Sequence, residues 1–197
     1  MNLHANIQIN GEVSFTITDK EGKVRTHTQP NLITNQGMTY FVSKLLGIND
    51  KLYNRIGQPS WATIANTANP VNYHIQEIVV GTDNTTAAKT QTWDTLKGVG
   101  KKLIKTITNL KMDETTEGLG SWFYQCKFDS QEADTLITNG NEEAIKEVML
   151  LAKYGDYDSP QASVVDPRII ISRTVLQQPF IKYTTDKVVI SWKLKLG

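Results

Sequence analysis

Cysteine is nearly missing from the chain: Cys126 is the only one in 197 residues. That excludes an intramolecular disulfide and any zinc site built from cysteine thiolates. Long apolar runs are missing too, since none approaches the ~20 residues that a helix needs to cross a bilayer. The opening residues, MNLHANIQING, hold no basic stretch followed by an apolar core, so no secretory leader is expected. An excess of charge is also lacking. Lys and Arg number 21 against 20 Asp and Glu, a formal net charge of +1, so no global field favours nucleic acid or an anionic membrane as a partner. The expectation is a soluble protein made in a cytoplasm.

Catalytic constellations are equally scarce. Gly98-Val99-Gly100-Lys101-Lys102 has a superficial likeness to a phosphate-binding loop. Such a loop needs a glycine at position 95 and Ser or Thr at 102, and this chain has Thr95 and Lys102. A basic loop leading into a strand at Leu103 is the better reading. His4, His27 and His74 are dispersed, outside any metal-ligand spacing. Asp156, Asp158 and Asp166 can offer oxygens to a cation, yet their loop lacks the glycine and terminal glutamate of an EF-hand, so no metal is expected. No GxSxG elbow is present. Cys126 lies on the apolar side of a strand pattern with Trp122, Tyr124 and Phe128, which suits packing better than nucleophilic work. Glu142-Glu143 and Asp113-Glu114 read as solvated turns. No enzyme and no cofactor are expected.

What is present is strand pattern. Apolar residues make up 39% of the chain and charged ones 21%, polar for a globular protein but short of the disordered class. Much of the polarity is Thr, Asn, Gln and Ser, a composition that suits β-sheets with wet turns. The length suits one domain, 1–197, with insertions at about 48–74 and 154–166. Ala5, Ile7 and Ile9 alternate with polar residues, as do Val13, Phe15 and Ile17. A three-residue loop, Asn10-Gly11-Glu12, would pair these as a hairpin with matched faces. Asp19 to Gly22 is a turn, Val24 to Thr28 a third strand, and Pro30 its end. Thr34 or Asn35 caps a helix over about 35–46, with Met38, Phe41, Val42, Leu45 and Leu46 on one stripe and Gly47 as its stop. Further strands are expected at 75–80, 103–110, 122–128, 169–176, 180–183 and 188–196. Thr184 to Lys187 is expected as a hairpin turn. Residues 144–153 favour helix by propensity, while their setting between strands permits a strand. The sum is a mainly β protein, an antiparallel β-sandwich with one amphipathic helix and long loops.

Four segments, in order, resemble a family of tailed-bacteriophage β-sandwich virion structural proteins. They are PNLITNQGMTYFVSKLLG (30–47), IQEIVVGTDNTTAAKTQTWDTL (75–96), AIKEVMLLAK (144–153) and VVISWKLKLG (188–197). In the second, Gly81, Thr82, Asp83, Asp94, Thr95 and Leu96 match the family's pattern. In the third, Ile145, Glu147, Val148 and Leu150 do. The departures are the segments 48–74 and 154–166, and Met149 where glycine is common. The resemblance implies a strand at 144–152 and a structural role in a virion at the neck, tail or fibres, in several copies with other virion proteins and with itself. Capsid decoration and a carbohydrate-binding, adhesin-like module are the alternatives, the last with a glycan as possible partner. The loop after Gly81 would then cross from one sheet to the other or meet a neighbouring subunit. Candidate contact residues are Tyr53, Trp61, Gly81, Thr82, Asp83, Trp93, Tyr154 and Tyr157. Loop aromatics such as Trp61 and Trp93 can stack on sugars or plug the ends of the sandwich.

Overall fold

The computed structural model describes residues 9–45, 73–113, 121–130, 132, 137–138, 141–154 and 168–196. These form an antiparallel β-sandwich of two five-stranded sheets, with a small two-stranded sheet beside them. The first sheet contains β1 (Ile9–Thr18), β2 (Val24–Pro30), β6 (Asn109–Asp113), β7 (Ser121–Phe128) and β12 (Lys187–Leu196), in the order β2-β1-β12-β7-β6. The second contains β3 (Leu32–Ile33), β4 (Tyr73–Gly81), β5 (Lys102–Thr106), β10 (Ile145–Tyr154) and β11 (Arg168–Phe180), in the order β3-β11-β10-β4-β5. Strands β8 (Ile137–Thr138) and β9 (Asn141–Glu142) pair with each other.

Between the large sheets lies one apolar core. Val13, Phe15, Val188, Ile190, Trp192, Cys126 and Phe128 meet Ile78, Val80, Val148, Leu150, Ile169 and Ile171 there. Alternation on β1 and β12 is clean because the far face of that sheet meets water, and on β7 it holds from Cys126 to Phe128. The second sheet differs. On β4 and β10, Val79, Met149 and Leu151 point away from the sandwich interior and are as buried as their neighbours, in a second apolar cluster with Ile170 of β11. A strand buried on both faces reads as an unbroken apolar run. That is why 145–154 is a strand despite its helical propensity, as the resemblance implied.

Several connections depart from expectation. Asn10-Gly11-Glu12 is no loop. Strand β1 runs straight through it, with Asn10 opposite Lys195 and Gly11 opposite Leu194. Gly11 is used for close approach, because a Cβ there would sit 2.6 Å from the side-chain amide of Asn31. The expected strand 103–110 is two strands in different sheets. Ile107 donates its amide to the Gln76 carbonyl in one sheet (2.8 Å), and Thr108 donates to the Gln125 carbonyl in the other (2.9 Å). The sheet-to-sheet crossing thus happens there, and not in the loop after Gly81, which joins β4 to its own neighbour β5. Phe180 is the end of β11, and 181–183 form no strand. The turn at 184–185 exists, but it links β11 to β12 across the two sheets, so it closes no hairpin.

At one edge the sheets are clasped by Gln29, which is buried. Its amide donates to the Thr174 hydroxyl (2.7 Å) and the Val175 carbonyl (3.0 Å), and its carbonyl accepts from the Gln177 amide (3.1 Å). The helix α1 (Asn35–Leu45) begins where expected. The Thr34 hydroxyl accepts the Gly37 amide at 2.9 Å, so Thr34 is the cap. Met38, Tyr40 and Phe41 pack on the core. Gly47, the expected stop, lies outside the described residues.

Cys126 is fully buried, and burial pushes its thiol up to about 12. The native protein is therefore expected to leave a thiol-specific disulfide reagent unconsumed at neutral pH, and to consume one equivalent after denaturation. Rapid native labelling would contradict that packing.

Candidate functional site

The segment between β4 and β5 is the most elaborate connection among the described residues. It lies over the outer face of the second sheet, and sequence chemistry explains how. At its neck, Thr82 and Lys101 bond each other: the Thr82 amide donates to the Lys101 carbonyl (3.1 Å), and the Lys101 amide to the Thr82 hydroxyl (2.9 Å). Asp83 turns the chain by accepting from the Thr85 amide (2.9 Å) and hydroxyl (2.7 Å) on one oxygen, the Asx turn that short polar side chains favour. Gln91 braces the far limb, accepting from the Ala88 amide (2.9 Å) and donating to the Thr86 carbonyl (3.1 Å). A helical turn, Trp93–Leu96, follows; the Thr92 amide donates to the Thr95 hydroxyl at 3.2 Å. That turn places Trp93 and Leu96 onto Val79, Met149, Leu151 and Ile170. The segment is a lid that covers the apolar outer face of its sheet.

Beneath the lid lies a buried charge network. Arg173 of β11 is completely buried, as is Glu147 of β10. Arg173 Nε donates to Glu147 Oε2 at 2.9 Å, and Nη2 lies 2.9 Å from both that oxygen and Asp83 Oδ2. Nη1 donates to the Thr85 carbonyl (2.9 Å) and to Gln91 Oε1 (2.8 Å). Four guanidinium N–H donors are thereby hydrogen-bonded, and the Nη2 contact with Glu147 is an ion pair. The remaining carboxylate oxygen, Glu147 Oε1, faces the Lys102 ammonium in an ion pair without an aligned hydrogen bond. Lys102 opens β5, and Gly81, Lys102 and Glu147 sit side by side in register. Glycine at 81 makes room for this arrangement, because a Cβ would meet Glu147 Oε1 at 2.3 Å and push the carboxylate aside. Two carboxylates, a carbonyl and a side-chain amide converge here on one group; a guanidinium has five donors in a planar fork to serve all four, where a lysine ammonium has three.

A second pair seals the rim. Arg168 grips Glu77 with Nε at 2.5 Å and Nη2 at 3.1 Å from its two oxygens, and its guanidinium lies 5.9 Å from the centre of the Trp93 ring. Stacking of this kind adds to the burial of the indole.

For Asp83, burial raises the acid's pKa. The Thr85 hydroxyl and amide bonds, with the charges of Arg173 and Lys102, outweigh it and hold the group below its usual 3.8. A folded-state value below the unfolded one adds stability that is complete above the unfolded value and is lost as pH falls through the folded one. The urea midpoint of Asp83→Asn is expected to fall below that of the native chain at neutral pH, with the gap closing on acidification below 3.8. A gap independent of pH would contradict the assignment.

The expected contact residues divide accordingly. Gly81, Thr82, Asp83 and Trp93 come together in the lid and its anchor. Trp93 is buried, which favours the plugging reading over a sugar platform, though it plugs the outer face of a sheet and not an end of the sandwich. Tyr154 ends β10 opposite Tyr73. Tyr53, Trp61 and Tyr157, and the acidic Asp156, Asp158 and Asp166, lie outside the described residues. Sequence reasoning missed Arg173, Glu147, Lys102 and Gln91. The available signal was a charge inside an apolar strand, as in IIISRTVL and IKEVMLL, since a strand buried on both faces admits charge only in compensated pairs. Among the described residues no group of three or more His, Cys, Asp or Glu side chains is placed to hold a metal ion, and no helix is long and apolar enough to cross a membrane. The site's chemistry is retention: every strong donor beneath the lid already holds a part of the protein.

Compared with the models of known protein families, with curated proteins and with solved structures, the chain matches none.

Proposed function

We propose that the chain is a structural component of a tailed-bacteriophage virion, a neck, tail or fibre-associated β-sandwich assembled in multiple copies with other virion proteins. The observation that carries this reading is where the family-like residues fall. Gly81 and Asp83 come from one such segment and Glu147 from another, more than sixty residues along the chain. They meet in a single buried junction around Arg173. Residues joined in this way act together as a folding device, which gives a physical reason for both segments to occur in one chain. The network spends its donors on holding a lid, as befits a protein whose task is shape and contact.

Quantitative mass spectrometry of purified particles from the source tests the reading. A few to a few dozen copies per particle is the expected result. Hundreds would move the protein to the capsid surface as a decoration subunit, and absence from the particle would remove the virion reading altogether.

A further inference from the structure

Away from the lid, the turn between β1 and β2 and the turn before β12 face each other across a depression of about 630 Å³. That is within the size of small-molecule sites, roughly 300–1,000 Å³. Its floor and walls are fixed. Asp19 Oδ1 accepts the amides of Glu21 (3.1 Å) and Lys23 (2.8 Å), and Gly22 takes a left-handed conformation with φ 80°. On the other side Asp186 is buried, accepts the Tyr183 amide (3.3 Å), and donates its own amide to the Tyr183 carbonyl (2.9 Å). Two of the local carboxylates are thus turned toward backbone amides, and Glu21 pairs with Lys20 at 3.4 Å.

Two things remain unspent. Lys23 and Arg25 have no ion-pair partner among the described residues, and both line the depression. Tyr183 lines it as well and is 47% exposed, one of four large apolar side chains so exposed among the described residues. An aromatic ring beside free cations, with Thr184 and Thr185 lining the same depression, matches one chemical class well. A sugar ring presents a C–H face to the aromatic and hydroxyls to the polar rim, and an acidic group on it answers the cations. A nucleic acid fits poorly, since it needs a track of cations along its backbone and only Lys23 and Arg25 stand without an ion-pair partner here.

We propose that this depression between the two turns is a binding site for an acidic saccharide, with Tyr183 under the ring and Arg25 and Lys23 on its carboxylate or sulfate. The site is independent of where the protein sits in a particle, and it uses none of the loop aromatics considered from the sequence.

Backbone amide NMR of the full chain tests it. The probes are a panel of uronic-acid, sialic-acid and sulfated oligosaccharides, neutral oligosaccharides of equal length, and inorganic sulfate. At least one acidic sugar is expected to shift amides confined to 19–25 and 182–187, with its neutral counterpart binding more weakly. Tyr183→Ala should weaken that binding roughly tenfold. Arg25→Gln should remove the preference for the acidic sugar over the neutral one. Both side chains are exposed, so the unchanged remainder of each spectrum reports an intact fold. The proposal is overturned if no acidic sugar shifts these amides at millimolar concentration. It is equally overturned if inorganic sulfate gives the same shifts and Tyr183→Ala changes nothing, which would make the depression a plain anion patch.

Discussion

Replacing Arg173 with methionine is expected to lower the unfolding free energy by about 3–5 kcal/mol, the loss typical of removing one partner from a buried ion pair. The reason lies in what stays behind. Methionine fills most of the volume but leaves Glu147 Oε2 and Asp83 Oδ2 without the guanidinium, strands the Thr85 carbonyl, and leaves Gln91 Oε1 with the Ala88 amide alone. The lid then loses its hydrogen-bonded tie to β11, keeping the Arg168 guanidinium against Trp93 and the apolar face that Trp93 and Leu96 cover. Urea unfolding of the two proteins measures the difference. Arg173→Lys should fall well short of the native chain as well, since one ammonium cannot replace a fork that reaches four acceptors. A loss below about 1 kcal/mol for Arg173→Met would place the residue in the class of exposed pairs and contradict the junction.

A second large effect is expected at Gly37. In an exposed helix interior, exchanging glycine for alanine stabilises by roughly 1 kcal/mol, since it restricts the unfolded chain. Here the sign should reverse. Gly37 lies in the first turn of α1, against the backbone of β11, and a Cβ would meet the Ile171 carbonyl oxygen at 2.0 Å. That contact is with main chain in a central strand, so no side chain can swing aside. The helix would have to retreat, drawing Tyr40, Met38 and Phe41 off the core and stretching the bond from the Ile170 amide to Gln36 Oε1, now 3.2 Å. Overpacking of this kind costs about 1–3 kcal/mol and more where the backbone cannot yield, and the upper end or beyond is expected from thermal or urea unfolding of Gly37→Ala. A stabilised variant would mean that the helix does not sit on β11 as described.

Much of the fold was legible because one sheet faces water. Val13, Phe15 and Ile17 on β1 and Val188, Ile190 and Trp192 on β12 declare their strands by simple alternation, and Asp19 with Gly22 declares its turn. The helix was legible from Thr34 and its stripe. What escaped was set by partners distant in sequence. Asn10-Gly11 has the local chemistry of a turn, but the Asn31 side chain, brought in from the end of β2, makes that glycine a contact point inside a strand. The division of 103–110 at Ile107 and Thr108 depends on which carbonyls, Gln76 or Gln125, stand nearest, and no local pattern encodes that choice. The lid was visible only as a polar segment. Its anchor was hidden because a buried Arg and a buried Glu look like interruptions in β11 and β10 until they are seen to face one another.

Hydrogen exchange across the lid is the most direct test of the claim that the segment after Gly81 is a sealed structural junction. The amides of Thr82, Thr85 and Lys101, bonded to Lys101, Asp83 and Thr82 respectively, are predicted to exchange only through global unfolding, at rates close to those of the β4 and β10 core. In Arg173→Met the same amides should exchange orders of magnitude faster than the strands beneath them. If they already exchange in the native protein at the rates of an open loop, the lid is not held by Arg173 and the junction account is wrong.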